Sequence, residues 1–189
     1  MTAKILAFAG SARKNSWNKK LVQYAARVAK EQGAIVTVID LADYPMPIYD
    51  GDLEETDGVP ETAKALKKLM CDHDGILIAS PEYNSEIPPL VKNIVDWVSR
   101  PDPGDERRLV AYSGKTAAVL SAAPGALGGT RVRMSLRALF SYLGMIVVPE
   151  QYGLSNCTKA FEDDGSLRPD IDQTLLIETI QRLVFLSKR

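Results

Sequence analysis

Five short apolar runs alternate along the chain with stretches whose apolar residues recur at helical spacing, and that alternation is the sign of a parallel sheet wrapped by crossover helices. The runs are Lys4 to Ala9, Ile35 to Asp40, Gly75 to Ser80, Thr116 to Ala122 and Met145 to Val148. Leu21, Ala25, Val28 and Ala29 mark a first helix, which Gly33 stops. Pro60 opens a second where its missing N–H costs nothing, with Ala63, Leu66 and Met70 as the apolar stripe. Pro89 opens a third in the same way, Thr130 is placed to N-cap a fourth that ends near Gly144, and a fifth runs from about Asp172 to the end. The pattern predicts an α/β fold: a three-layer αβα sandwich on a five-stranded parallel sheet. The longest irregular pieces are LADYPMPIYDGDLEETDGV, RPDPGDERRLVAYSG and the stretch 149–168. Loops of that length are commonly functional, and the first two are expected near the site.

At 189 residues the chain is expected to form a single domain spanning 1–189. Its charges are mixed and sum to −1, with no basic stripe to suggest nucleic acid as a partner. No apolar run approaches the roughly 18 residues of a membrane span, and the first ten residues read as a strand entering a polar loop, not as a signal peptide. Cys71 and Cys157 form no CxxC, so neither a metal site nor a disulfide framework is indicated, and a cytoplasmic location is expected.

In an open parallel sheet, ligands bind beyond the carboxyl ends of the strands, at the switch in strand order. Three loops leave such ends: GSARKNSWN, SPEYNSEIPP and SAAPGALGGT. With the order 2-1-3-4-5 they converge on one crevice. Loops after strands are commonly polar, but the first also has the makings of a cup for a dianion. Ser11, Ser16 and Asn18 offer hydrogen bonds, Arg13 a fork suited to phosphate oxygens, and the following helix its free N–H groups. It is neither a Walker A loop nor GxGxxG. Prolines 81, 88 and 89 stiffen the second loop around Glu82, Tyr83 and Asn84, either as a simple reversal or as a rigid edge for a flat heterocycle. Glycines 125, 128 and 129 clear space for a close approach in the third.

These motifs carry a family resemblance. Gly10, Ser11, Arg13, Ser16 and Asn18 match GSxRxxSxN; PEYNSEIPPLVKNIVDW matches PEYN followed by a proline and LKNxxDW; SAAPGALGGTR is similar to SPGxxGGxR. The chain thus resembles the NADPH-dependent FMN reductases of the flavodoxin-like superfamily, a group that includes quinone, chromate and azo-dye reductases. It departs from them at Pro89, where glycine is usual, and in a longer segment 100–114. The resemblance implies FMN as cofactor, with Ser11, Arg13, Ser16 and Asn18 on its phosphate, Pro81, Glu82, Tyr83 and Asn84 bordering the isoalloxazine, and Ser121 and Gly125 near the ring. It implies NADPH or NADH as hydride donor to the flavin and a small-molecule electron acceptor such as a quinone, free flavin, azo compound or metal oxyanion, served in turn by a ping-pong mechanism. A flavodoxin-type electron carrier and a flavin-bound redox sensor are the other two readings. No side chain is expected to act as acid or base, since the cofactor carries the chemistry. His73, at the amino end of the third strand, is expected to be a solvated turn residue.

The third helix carries one more expectation. Leu90, Val91, Ile94, Val95, Trp97 and Val98 fan over about 160° of it, more than one sheet contact needs, which suggests a subunit interface. The resemblance likewise implies a homodimer or homotetramer.

Overall fold

The computed structural model describes residues 1–101 and 109–188; residues 102–108, within the expected long segment 100–114, lie outside them. The strands are β1 (Lys4–Ala9), β2 (Ile35–Ile39), β3 (Gly75–Ala79), β4 (Thr116–Ala122), β5 (Ile146–Val147) and β6 (Tyr152–Leu154). The helices are α1 (Trp17–Glu31), α2 (Gly51–Asp57), α3 (Glu61–Cys71), α4 (Pro89–Val98), α5 (Thr130–Tyr142) and α6 (Thr174–Ser187). All strand pairings are parallel, in the order β2-β1-β3-β4-β5, as the alternation predicts.

Alternate residues of each central strand enter one of two cores. Ile5, Ala7, Ala9, Leu77, Ala79, Ala118, Leu120 and Ala122 face the layer of α1 and α6. Leu6, Phe8, Ile76, Ile78, Ala117 and Val119 face the layer of α3, α4 and α5. The first face is rich in alanine, so α1 can lie close on the carboxyl half of the sheet.

The sixth strand was not expected. β5 pairs with the start of β4 (Thr116 opposite Ile146), and β6 pairs with its end on the same path of chain (Ser121 opposite Gly153). Pro149, which has no N–H to give to a ladder, stands in the gap between them. The 149–171 stretch then runs back under α1. Phe161 stacks on Trp17 with ring centroids 6.2 Å apart, Arg27 donates to the Asp164 carbonyl at 3.1 Å, and Tyr24 meets Gln173 at 2.5 Å.

Other expectations need correction. The segment LADYPMPIYDGDLEETDGV is not wholly irregular: it holds a 3-10 turn at Leu41–Asp43 and the helix α2, which buries no residue and so shows no apolar period. Pro60 precedes the first residue of α3, and Thr130 is the first residue of α5, with Gly129 in the capping position. The last helix starts at Thr174, two residues beyond the expected boundary. His73 is no solvated turn residue. It is buried, its ring nitrogens 2.6 Å from the Leu69 carbonyl and 2.8 Å from Thr37 Oγ1, because the turn before β3 is folded against β2.

The broad apolar face of α4 is also accounted for within the chain. Val91, Ile94, Val95, Trp97 and Val98 are buried there and Leu90 is half-buried against the same core, so packing within the chain accounts for most of this face. The segment 45–49 completes the cover: Trp97 Nε1 donates to the Pro47 carbonyl at 2.8 Å, and Tyr49 meets the indole edge-on at 5.0 Å. Asn93 fixes the same segment through its side chain, donating to Pro47 O and accepting from Tyr49 N–H.

Trp97→Ala removes this keystone. It is expected to cost about 3–5 kcal/mol of stability, the usual cost of deleting a buried large aromatic side chain. Urea unfolding of the two proteins measures it, and a loss below about 1 kcal/mol would show that the segment is held by other contacts.

Candidate functional site

The loops after β1, β3 and β4 meet at the carboxyl edge of the sheet. At Gly10 the chain leaves β1, its N–H still donating to the Ala79 carbonyl of β3 at 2.9 Å. A Cβ here would stand 2.6 Å from Ser80 Oγ and 2.7 Å from Val91 Cγ2, so only glycine allows the first loop to pass so close to the third strand's end. Beyond it, Ser11 Oγ accepts from the Arg13 N–H at 3.3 Å, and Ser16 N-caps α1 by accepting from the Asn18 N–H at 3.2 Å. The amides of Ala12, Lys14 and Asn15 have no acceptor among the described residues. Arg13 is exposed and makes no ion pair among them, and the first turn of α1 has no acidic residue. Free N–H groups, a serine hydroxyl, an unpaired guanidinium and the positive end of a helix dipole form a donor set suited to a phosphate monoester, and the terminal phosphate of FMN fits it.

Asn18 is placed differently from a phosphate donor. It is buried, its Oδ1 accepting from the Ala122 N–H at 2.8 Å and its Nδ2 donating to the Ala122 carbonyl at 3.0 Å. Both polar ends of the side chain are thus spent on the last residue of β4, and they join the start of α1 to the start of the Gly-rich loop. Ser16 has a comparable structural task in its cap.

The second loop forms a tight hairpin. Tyr83 and Glu86 exchange backbone hydrogen bonds of 3.1 and 3.0 Å, and the two residues between them, Asn84 and Ser85, have φ of 50° and 68°. Two consecutive left-handed residues are the signature of a type I′ turn, a conformation asparagine tolerates and serine adopts only under strain. Tyr83 and Asn84 are exposed, whereas Pro81 and Glu82 are half-buried. The Glu82 carboxylate turns away from the hairpin tip to α5. Its Oε2 accepts from the N–H groups of Arg131 at 2.9 Å and Val132 at 3.1 Å, and its Oε1 lies 3.4 Å from Arg131 Nη1. Glu86 follows suit, Oε1 accepting from Ser135 Oγ at 3.1 Å.

The third loop carries Gly125 in open space and turns sharply at Gly128 and Gly129, both with positive φ. A Cβ on Gly129 would press on Ser121 at 2.9 Å. Ser121 itself is fully buried beneath this turn, donating to the Gly128 carbonyl at 2.5 Å and accepting from Arg133 Nη1 at 2.6 Å. The segment after β6 braces the turn from the other side, with Ser155 Oγ donating to the Ala126 carbonyl at 2.7 Å.

The structure therefore brings Ser11, Arg13, Ser16, Asn18, Pro81, Glu82, Tyr83, Asn84, Ser121 and Gly125 to the same edge of the sheet but divides their tasks. Arg13, Tyr83, Asn84 and Gly125 are exposed to a ligand, Pro81 is half-buried, and Ser11 is buried with its Oγ accepting from the Arg13 N–H, while Ser16, Asn18, Glu82 and Ser121 hold the loops. Sequence reasoning missed Arg131, Val132 and Ser135 as partners of the hairpin, because two of the acceptor bonds go to backbone N–H groups, which leave no mark on side-chain identity. Of the two cysteines, Cys157 is buried and its thiol is pushed up to about 11 by desolvation, which keeps it neutral at physiological pH. Among the described residues no helix is long and apolar enough to cross a membrane.

Comparison with known proteins shows the family and the fold. The model of a family described as NADPH-dependent FMN reductase matches residues 3–159. A quinone reductase of Pseudomonas putida is 34% identical over 160 residues, 84% of this chain and 81% of the relative. The flavoenzyme NAD(P)H:(acceptor) oxidoreductase of Paracoccus denitrificans superposes with a TM-score of 0.80 at 25% identity, covering 99% of this chain and 98% of its own. A flavodoxin from the domain Archaea shares the fold at a TM-score of 0.62 and 10% identity, covering 98% and 99% of the two chains.

Asn18→Ala leaves the N–H and carbonyl of Ala122 without their partner. At about 1–3 kcal/mol for each buried group stripped of its hydrogen bond, a loss of roughly 2–6 kcal/mol is expected in the cofactor-free protein. Chemical denaturation without FMN checks it: an unchanged midpoint would mean that Asn18 owes its place to the ligand and not to the scaffold.

Proposed function

Because the chain belongs to the NADPH-dependent FMN reductase family, we propose that it is a ping-pong reductase whose single crevice takes a reduced nicotinamide and then, once this has left, a small oxidised acceptor. Quinones are the first candidates, with free flavin, azo compounds and metal oxyanions behind them. That it is an FMN-dependent NAD(P)H oxidoreductase follows from the family and its relatives. When bound, FMN supplies a centre that accepts a hydride from the nicotinamide and returns reducing equivalents to the acceptor.

The observation that carries this reading is the open row of amides beside Arg13. Ser11, Arg13 and the N–H groups of Ala12, Lys14 and Asn15 would hold the phosphate, and the cap of Ser16 would keep α1's positive end aimed at it. Pro81, Tyr83 and Asn84 would border the ring, while Gly125 leaves it room. Negative charge developing on the ring needs oriented dipoles. The Tyr83 N–H is already given to the Glu86 carbonyl, which leaves the amides of Glu82 and Asn84 for that work. No side chain has to move a proton in the first half-reaction, and the buried His73 at the opposite end of β3 takes no part.

The same reading makes the protein a homodimer or homotetramer of the cytoplasm, where reduced nicotinamide is made. Support for association comes from exposed apolar side chains on the loops and helix at the crevice: Leu127 and Met134 are each more than 60% exposed, and Tyr83 on the hairpin is exposed as well. Sedimentation at micromolar protein measures this, and a fully active monomer would remove the proposed association.

Two further outcomes are expected. Arg13→Ala should weaken FMN roughly 10- to 100-fold, the worth of a hydrogen bond to a charged group, and leave riboflavin nearly unaffected. Fluorescence titration of both ligands distinguishes this from equal losses, which would take Arg13 off the phosphate. Initial rates with varied NADPH and quinone should give parallel double-reciprocal lines. Intersecting lines would mean that donor and acceptor bind together, and the shared crevice would have to be abandoned.

A further inference from the structure

Helix α5 begins without a cap of its own. Gly129 occupies the capping position and has no side chain to offer, and the first turn, Thr130 to Arg133, contains no acidic residue. The orphan N–H groups of such a start need an acceptor, and the positive end of the dipole favours an anion. Glu82 supplies both from another loop, 49 and 50 positions away in the chain, through its bonds to the N–H groups of Arg131 and Val132. Arg131 adds a side-chain contact to the same carboxylate, whose side chain is only 15% exposed.

The consequence falls on the hairpin. Residue 82 immediately precedes Tyr83 and Asn84, and the turn that follows is strained at Ser85. Strained conformations persist only where their surroundings over-determine them. Here one shoulder of the hairpin is fixed by Glu82 on the first turn of α5, and the other by Glu86 on Ser135, one turn further along the same helix.

We infer that Glu82 is a positioning residue: a built-in anion that occupies the start of α5 and thereby holds Tyr83 and Asn84 at their place on the crevice. Its side chain is not a ligand of the cofactor. This rests on the proposed crevice for its kinetic readout, but not for its structural one. With the anion seat of α5 filled from inside, a phosphate has less to gain there than at the start of α1.

The test uses Glu82→Ala and Glu82→Gln beside the unaltered protein. In apo-protein, amide hydrogen exchange of Arg131 and Val132 should be at least roughly tenfold faster in Glu82→Ala, and sodium acetate should slow it again by refilling the seat. In holoenzyme, Glu82→Ala should lower kcat/KM for quinone roughly tenfold or more, with FMN affinity within about threefold and with part of the activity restored by acetate. Glu82→Gln, which keeps the shape and one acceptor oxygen, should fall between. Exchange at both amides unchanged in either variant would overturn the inference, and so would a loss of FMN as large as that of Arg13→Ala. If Glu82→Ala does not fold, the exchange of Glu82→Gln decides. Should the unaltered protein itself fail to reduce quinone, the exchange data still stand or fall alone, so an error about Glu82 and an error about the reaction remain separable.

Discussion

Of the helices that start above the carboxyl edge of the sheet, α1 and α5 follow the first and third loops of the crevice, and each start leaves backbone N–H groups that need an acceptor. The two are answered differently. At α5 the acceptor is a carboxylate of the chain itself, Glu82, lent by the neighbouring loop. At α1 the chain offers only the Ser16 hydroxyl, and the amides just before the helix are left without a partner among the described residues. A helix start already neutralised has little to gain from an external anion, while one left open attracts it. The division between scaffold and candidate site in this protein follows from that difference more than from any one side chain of the motifs.

The remaining architecture serves to keep the open start in place. Alanines on one face of β1, β3 and β4 let α1 settle close on the sheet, and Gly10 lets its leading loop pass over Ser80 and Val91. Asn18 then pins the first turn of α1 to the end of β4 with a pair of hydrogen bonds that imitates a strand ladder. From the other side β6 and Ser155 steady the Gly-rich turn. The crevice is thereby built from three loops that are each tied to another by side chain–backbone bonds, so its shape does not depend on a ligand to assemble it.

The layered fold was legible in the sequence because burial leaves a period. Runs such as KILAFA and TAAVLSA are apolar on both faces, and α1, α3 and α4 repeat at helical spacing. What lacks that period went unseen: α2, which buries nothing, and β6, whose three residues are too few to show any pattern. At the carboxyl edge, where the expected residues gather, residue types said little about the partners each side chain takes. Asn18 and Glu82 have the donors and acceptors of ligand residues, and nothing local reveals that these are spent on Ala122, Arg131 and Val132, far along the chain. His73 misled in the same way, since its partner Thr37 lies on a different strand. The broad apolar face of α4 could equally have met a partner or its own core; Pro47 and Tyr49 decided it, from a stretch whose composition suggested only a loop.

The packing of α1 also sets an order of events during synthesis. This helix is among the first elements made, yet its outer neighbours are among the last: Phe161 on Trp17, Asp164 on Arg27, Gln173 on Tyr24, and α6 alongside. Chains grow at about 5–20 residues per second, so α1 waits on the order of ten seconds for its cover. In that interval one flank of α1 remains bare, and the Gly-rich turn has no β6 behind it. A nascent chain therefore has the amides that precede α1 well before it has the layer that holds them steady, since residues 161–187 are among the last to be made.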